Sequence, residues 1–136
     1  MFYDKFKPES MTLKEFDNWV VVLRPKQQTL GDAVIILKTE HPFIGEATCE
    51  EFSEFPKVVE WYENKCRSLF GAEKFNYLAA MMKDNFVHFH AFPRYSKEIE
   101  MYGETWIDND WPRPVTPGGN VPSEDVVAQL IEAFRD

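Results

Sequence analysis

AVIILK, residues 33–38, restricts the fold more than any other stretch. Side chains alternate faces along a strand, so an unbroken apolar run leaves neither face suited to water. Such a strand needs cover on both sides. Upstream, NWVVVLRP (18–25) is a second β-branched run, and Pro25 stops it. KQQTLGD lies between them and reads as a turn. The two runs therefore predict an antiparallel pair.

The next segment changes period. Thr48 followed by Glu51 matches a capping box, in which each side chain takes an N–H at the start of a helix. Phe52, Phe55, Val58, Val59, Tyr62, Cys66 and Leu69 then recur at helical spacing. Pro56 should kink this helix or restart it, and Gly71 is placed to end it. KFNYLAAMM (74–82) is expected to be a third strand, although its Ala and Met residues also suit a helix. After a KDN turn, FVHFHAF (86–92) is the fourth strand, ended by Pro93.

The two ends of the chain are less regular. Residues 1–17 predict a short helix or an irregular lead-in. The region 96–122 is rich in Pro, Gly and Trp and is long for a structureless loop. It is expected to be an ordered covering strand or lid. Ser123 can cap a C-terminal helix over 123–135, with Val126, Val127, Leu130, Ile131 and Phe134 on its apolar side. With 136 residues, 44% of them hydrophobic, the chain fits a single domain, 1–136, with a real core.

Several classes are disfavoured at this level. No stretch approaches the roughly 20 apolar residues that span a bilayer. The opening MFYDKFKPES lacks the apolar centre of a signal peptide. A cytoplasmic protein with no membrane association is therefore expected. Cys49 and Cys66 are too few, and too far apart, for a disulfide framework or a CxxC site. A net charge of −8 argues against a general DNA or RNA binder. It leaves room for a small anion held by a few cations focused in one cleft.

DNFVHFHAFPRYS (84–96) carries the chemistry. Period-two alternation puts His88 and His90 on one strand face with Phe86 or Phe92, and Val87, Phe89 and Ala91 on the core face. The two imidazoles should then look together toward a cleft or solvent. Three readings follow. The pair can be idle on a half-exposed strand. It can be half of a metal site, which needs a third ligand such as His41 and usually a carboxylate. It can also serve nucleophilic catalysis, because imidazole attacks phosphorus well near neutral pH, with the second imidazole assisting.

FVHFHAFPRY resembles the signature of the histidine triad superfamily, three histidines alternating with apolar residues and often followed by Pro-Arg. Aligned on Pro93 and Arg94, His88 takes the place of the middle, nucleophilic histidine and His90 that of the third. Phe86 stands where the first would be. LRPKQQTLGDAVIILK resembles the family's first hairpin, with Asp32 at the position of its turn histidine. The likeness covers roughly residues 18–95.

The resemblance implies an α+β fold, an antiparallel sheet of about five strands with a long helix packed on one face. It implies a homodimer. It also implies a nucleotidyl hydrolase or transferase, foremost of the dinucleoside polyphosphate hydrolase type, acting at the α-phosphate of a nucleoside polyphosphate or related conjugate. His88 would attack and form a nucleotidyl-histidine, and His90 would donate to a phosphate oxygen. Lys83 and Asn85 would stabilise developing charge. Arg24, Gln27 and Thr29 are the polar candidates for base and ribose. Arg94 would reach phosphate or, more in keeping with 23 acids, pair with one of them. Of Trp106 and Trp111, at least one should pack in the core. No cofactor or bound metal is required, though a divalent ion can accompany the substrate. Two other classes remain, a nucleotide-binding module with little turnover and a metal-dependent enzyme using both histidines as ligands.

Overall fold

The two apolar runs form strands Trp19–Leu23 (β2) and Ala33–Leu37 (β3) in the computed structural model, which describes residues 11–136. All ten of these residues are buried, so β3 is covered on both faces as its sequence requires. The part of the expected lead-in over residues 1–10 lies outside the described residues. Thr12–Glu15 (β1) is not helical or irregular as expected. It is a strand, paired antiparallel with β2 through an irregular register near Lys14. Strand Lys74–Leu78 (β4) and strand His88–Arg94 (β5) complete a five-stranded antiparallel sheet in the order β1-β2-β3-β5-β4.

The bounds of β4 and β5 differ from the sequence reading, and β5 begins only at His88, so Phe86 and Val87 precede it. β4 ends at Leu78, so the AAMM segment belongs to neither strand nor helix. β5 runs through Pro93 to Arg94. The β3 ladder along β5 ends at Ala33 opposite Ala91. Beyond it β5 has only β4 beside it, with Phe75 opposite Pro93. A missing N–H is tolerated where one side of a strand has no neighbour.

Helix Cys49–Phe70 (α1) follows β3 and crosses one face of the sheet. Its start is the expected capping box, with Thr48 Oγ1 accepting from Glu51 N and Glu51 Oε1 accepting from Thr48 N. Gly71 ends it in the left-handed region at φ 75°, which only glycine enters without steric cost. Pro56 neither ends nor restarts it, because it sits on the exposed side, where water can take the carbonyl it cannot serve. Val58, Tyr62, Cys66 and Phe70 recur every four residues and form the buried stripe.

That stripe meets Trp19, Val21, Leu23, Ala33, Ile35, Val87 and Ala91 in the main core. Helix Glu124–Arg135 (α2), capped by Ser123 as expected, adds Val126, Leu130 and Phe134. Trp19 Nε1 donates to the Glu51 carbonyl at 2.7 Å, and the Tyr62 hydroxyl donates to the Gly31 carbonyl at 2.7 Å. Each bond satisfies a polar group that burial would otherwise penalise by about 1–3 kcal/mol.

The other sheet face holds a smaller apolar cluster, Val20, Val22, Val34 and Ile36, with Phe86 packed against it. The region 96–122 is ordered, as expected. It contains a hairpin of Ile99–Met101 (β6) and Glu104–Trp106 (β7), turned by Tyr102 and Gly103 at positive φ. Trp106 packs against the main core, the role expected of at least one of the two tryptophans. The fold is thus the α+β arrangement the resemblance implied. Among the described residues no helix is long and apolar enough to cross a membrane.

Candidate active site around two histidines

His88 and His90 project from β5 on the face away from α1, beside Ile36 and Val34 of β3. The period-two assignment is correct, and their rings lie 5.2 Å apart at 80°. Their exposure differs, however. His90 is half-buried, whereas His88 is 2% exposed. The expectation that both look toward cleft or solvent therefore fits His90 only. His88 sits in the row Val20, Ile36, His88, where the neighbouring strand covers it with aliphatic side chains.

The two imidazoles differ in their surroundings as well. His88 Nδ1 lies 2.6 Å from the Phe86 carbonyl oxygen. A carbonyl only accepts, so Nδ1 is the donor in this contact and Nε2 is the ring nitrogen it leaves out. Burial holds His90 down to about 4, helped by His88 and the Arg24 charge and opposed by Asp84. His90 is therefore a neutral imidazole near pH 7. Its Nδ1 is buried and finds no hydrogen-bond partner among the described residues.

Arg24 reaches this face from the end of β2. Its guanidinium carbon stands 5.2 Å from the centre of the Phe92 ring, and Phe92 stacks on His90 at 6.4 Å and 27°. Arg24 Nη1 donates to the carbonyls of Lys26 and Gly118, both at 2.8 Å. Sequence periodicity put Phe92 with the histidines, but the cross-strand arrival of Arg24 has no local signal.

Gln27 and Thr29, read as base or ribose contacts, are buried and engaged within the turn. Gln27 Oε1 accepts from Gly31 N and Asp32 N, while its Nε2 donates to the carbonyls of Arg24 and Asp32. Thr29 Oγ1 donates to Asp32 Oδ1 at 2.6 Å. Asp32, fully buried, also accepts from Gln28 N and Thr29 N. Burial pushes its carboxyl up to about 7, against the pull of these hydrogen bonds and of Arg24. The polar residues of this hairpin close the turn upon itself.

The segment after β7 runs along the same side. Asp108 accepts two hydrogen bonds from Arg94, at 2.6 and 3.0 Å, and one from Tyr95 N. Asn76 Oδ1 accepts from Arg94 Nη1 and Val115 N. Gly118 O takes Arg24, and Asn120 bridges Gln27. Arg94 is thus the partner of an acid, the reading its sequence context favoured. The covering region acts as a wall beside Phe92 and Arg24.

Lys83 and Asn85 lie exposed on the β4–β5 loop. The structure records neither in contact with the imidazoles. It is Asp84, between them, whose charge His90 feels. His41, the candidate third metal ligand, has Nε2 3.3 Å from Glu51 Oε1 at the start of α1. Among the described residues no group of three or more His, Cys, Asp or Glu is placed to hold a metal ion. Cys49 is exposed and Cys66 buried, and both are free thiols, with burial pushing Cys66 up.

No family model matches the sequence, and no curated protein does either. Solved structures do. A histidine triad protein from Marinobacter aquaeolei is similar over 99% of this chain and 93% of its own, with a TM-score of 0.76 at 19% identity. A histidine triad protein from Sinorhizobium meliloti matches 96% of this chain and 91% of its own, with a TM-score of 0.74 at 13% identity. A hypothetical histidine triad nucleotide-binding protein from Sulfolobus tokodaii matches 92% of this chain and 80% of its own, with a TM-score of 0.70 at 15% identity. The partial motifs and the backbone agree, and the chain has the fold of the histidine triad proteins.

Proposed function

We propose that the protein is a nucleotidyl hydrolase or transferase acting at the α-phosphate of a nucleoside polyphosphate or related conjugate. The observation that carries this reading is the contact that orients His88. Nδ1 donates to the Phe86 carbonyl, so Nε2 is the ring nitrogen that would attack. The fold adds support, since a structural neighbour is described as nucleotide-binding.

In this scheme Nε2 of His88 forms a bond to the α-phosphorus while the phosphorus–leaving-group bond breaks. The leaving group departs with its electron pair and takes a proton from water. A second water then attacks phosphorus, releases the mononucleotide and returns the imidazole. His90, neutral near pH 7, donates one N–H to a phosphate oxygen. Lys83 and Asn85, on the loop leading into Phe86, would add a cation and an amide donor once a substrate is bound. Arg24 contributes a charge to the same face. No resident metal enters the scheme, and a divalent ion can arrive with the substrate.

The test is a panel of dinucleoside polyphosphates, nucleotide phosphoramidates and nucleotide sugars. Turnover reactions are quenched at high pH, where phosphohistidine survives, and the intact protein is weighed. One mononucleotide per chain is expected in the wild type and none in His88→Ala. An adduct persisting in His88→Ala, or absence of both adduct and turnover across the panel, overturns the reading. The burial of His88 at 2% exposed favours one alternative, a nucleotide-binding module with little turnover. That alternative predicts nucleotide binding with no adduct.

A further inference from the structure

Arg24 is built differently from a surface arginine. Its side chain is 13% exposed, and its guanidinium lies over the face of Phe92. Such stacking fixes the plane of the fork while leaving its edge N–H groups able to bind. Among the described residues, every side-chain hydrogen bond of Arg24 runs from Nη1, to the two carbonyls already named. The edge formed by Nη2 and Nε is therefore open to a ligand.

The neighbouring carboxylate does not fill that role. Asp32 Oδ2 is 3.7 Å from Arg24 Nη1, beyond hydrogen-bond reach. Its oxygens are already engaged by Gln28 N, Thr29 N and Thr29 Oγ1. A largely buried cation with an open donor edge and a preoccupied counter-ion is suited to an anion.

Its position says which anion. No contact of Arg24 with the imidazoles is recorded; it stands over Phe92, the next residue beyond His90 on that strand face. A phosphoryl group at the imidazole pair would leave Arg24 for the next charged group along the ligand. We propose that Arg24 is a specificity-determining residue that selects ligands carrying a second anionic phosphate beside the one at the histidines. This rests on the nucleotide reading above and narrows its substrate class to those with a charged polyphosphate leaving group, ahead of phosphoramidates with an uncharged one.

The experiment reads binding, so that it does not depend on turnover. Inorganic phosphate and pyrophosphate, and a nucleoside mono- and diphosphate, are titrated calorimetrically into the wild type, Arg24→Gln and Arg24→Lys. Melting curves of each variant check the fold. The wild type should prefer pyrophosphate over phosphate, and the diphosphate over the monophosphate, by about tenfold or more, the size of one charge-assisted contact. Arg24→Gln should lose that preference while keeping phosphate affinity within a few-fold, and Arg24→Lys should keep part of it. A wild type without the preference overturns the proposal, as does an Arg24→Gln that keeps it or loses all four ligands equally while folded. If Arg24→Gln fails to fold, the wild-type preference and its partial retention in Arg24→Lys decide the matter. The trapped-adduct test on His88 is independent, so either conclusion can fall without the other.

Discussion

A buried ion pair helps hold the wall beside the histidine face, and removing it has a calculable cost. Arg94 and Asp108 have side chains 3% and 1% exposed, and the pair closes at 2.6 Å. Asp108→Ala would leave the guanidinium buried with, among the described residues, only Asn76 as an acceptor and would orphan the Tyr95 N–H. Breaking a buried pair from one side typically costs about 3–5 kcal/mol, mostly the penalty on the abandoned charge. Unfolding entropy of about 2.1 cal/mol/K per residue, applied to a chain of 136, makes each kcal/mol worth roughly 3.5 °C. The melting temperature should therefore fall by about 10–17 °C at neutral pH. The double variant Asp108→Ala with Arg94→Met, which abandons no charge, should recover at least about 1 kcal/mol of the loss.

The pH dependence of the same pair is fixed in sign. Burial would push the Asp108 carboxyl up, but hydrogen bonds from Arg94 and the Tyr95 N–H, with the Arg94 charge, outweigh it and hold the carboxyl low. The contribution is thus full above the ordinary carboxylate pKa of about 4 and is lost as pH falls through the lower folded value. Calorimetric or circular-dichroism melts of the four-member cycle from pH 3 to 7 would measure both effects. A single-variant loss below about 1 kcal/mol, or a double variant as unstable as the sum of the singles, would refute the argument.

His90 supplies a second pH effect. Its folded value of about 4 lies below the ordinary 6.5, so its contribution is present above about 6.5 and lost as pH falls toward 4. Urea midpoints should show His90→Asn flattening the curve in that window, against the opposite slope from Asp32, which is raised to about 7. Phe86→His puts a polar ring against Val20, Val22, Val34 and Ile36, and should cost roughly 1–3 kcal/mol in denaturant titrations while changing turnover. Unchanged kinetics with the same loss would show that position 86 does not act on His88. The chain is proposed to be a homodimer at micromolar concentration, and light scattering showing only a 16.0 kDa species would dismiss that.

Much of the frame is legible in the residues because it depends on neighbours in sequence. Thr48 with Glu51 starts α1 and Gly71 ends it through bonds within a few residues. Strand alternation puts His88, His90 and Phe92 on one face whatever lies beyond. The fully buried β2 and β3 follow from runs that leave neither face polar. Thr12–Glu15 has only weak strand character of its own, and its conformation comes from the β2 edge it pairs with. Gln27 and Thr29 looked available because nothing local shows that the turn folds inward around Asp32.

The site itself is assembled by the long-range pairings. Inserting β5 between β3 and β4 buries His88 under Ile36 and leaves His90 at the margin. Arg24 and Phe92 meet though far apart in the chain, as do Arg94 and Asp108. Period and capping act over a few residues and are written in sequence, whereas the partner across a sheet is chosen by the packing of the whole core. The sequence alone therefore determined two imidazoles on one strand face, and only the tertiary structure decided their unequal burial and the cation set beside them.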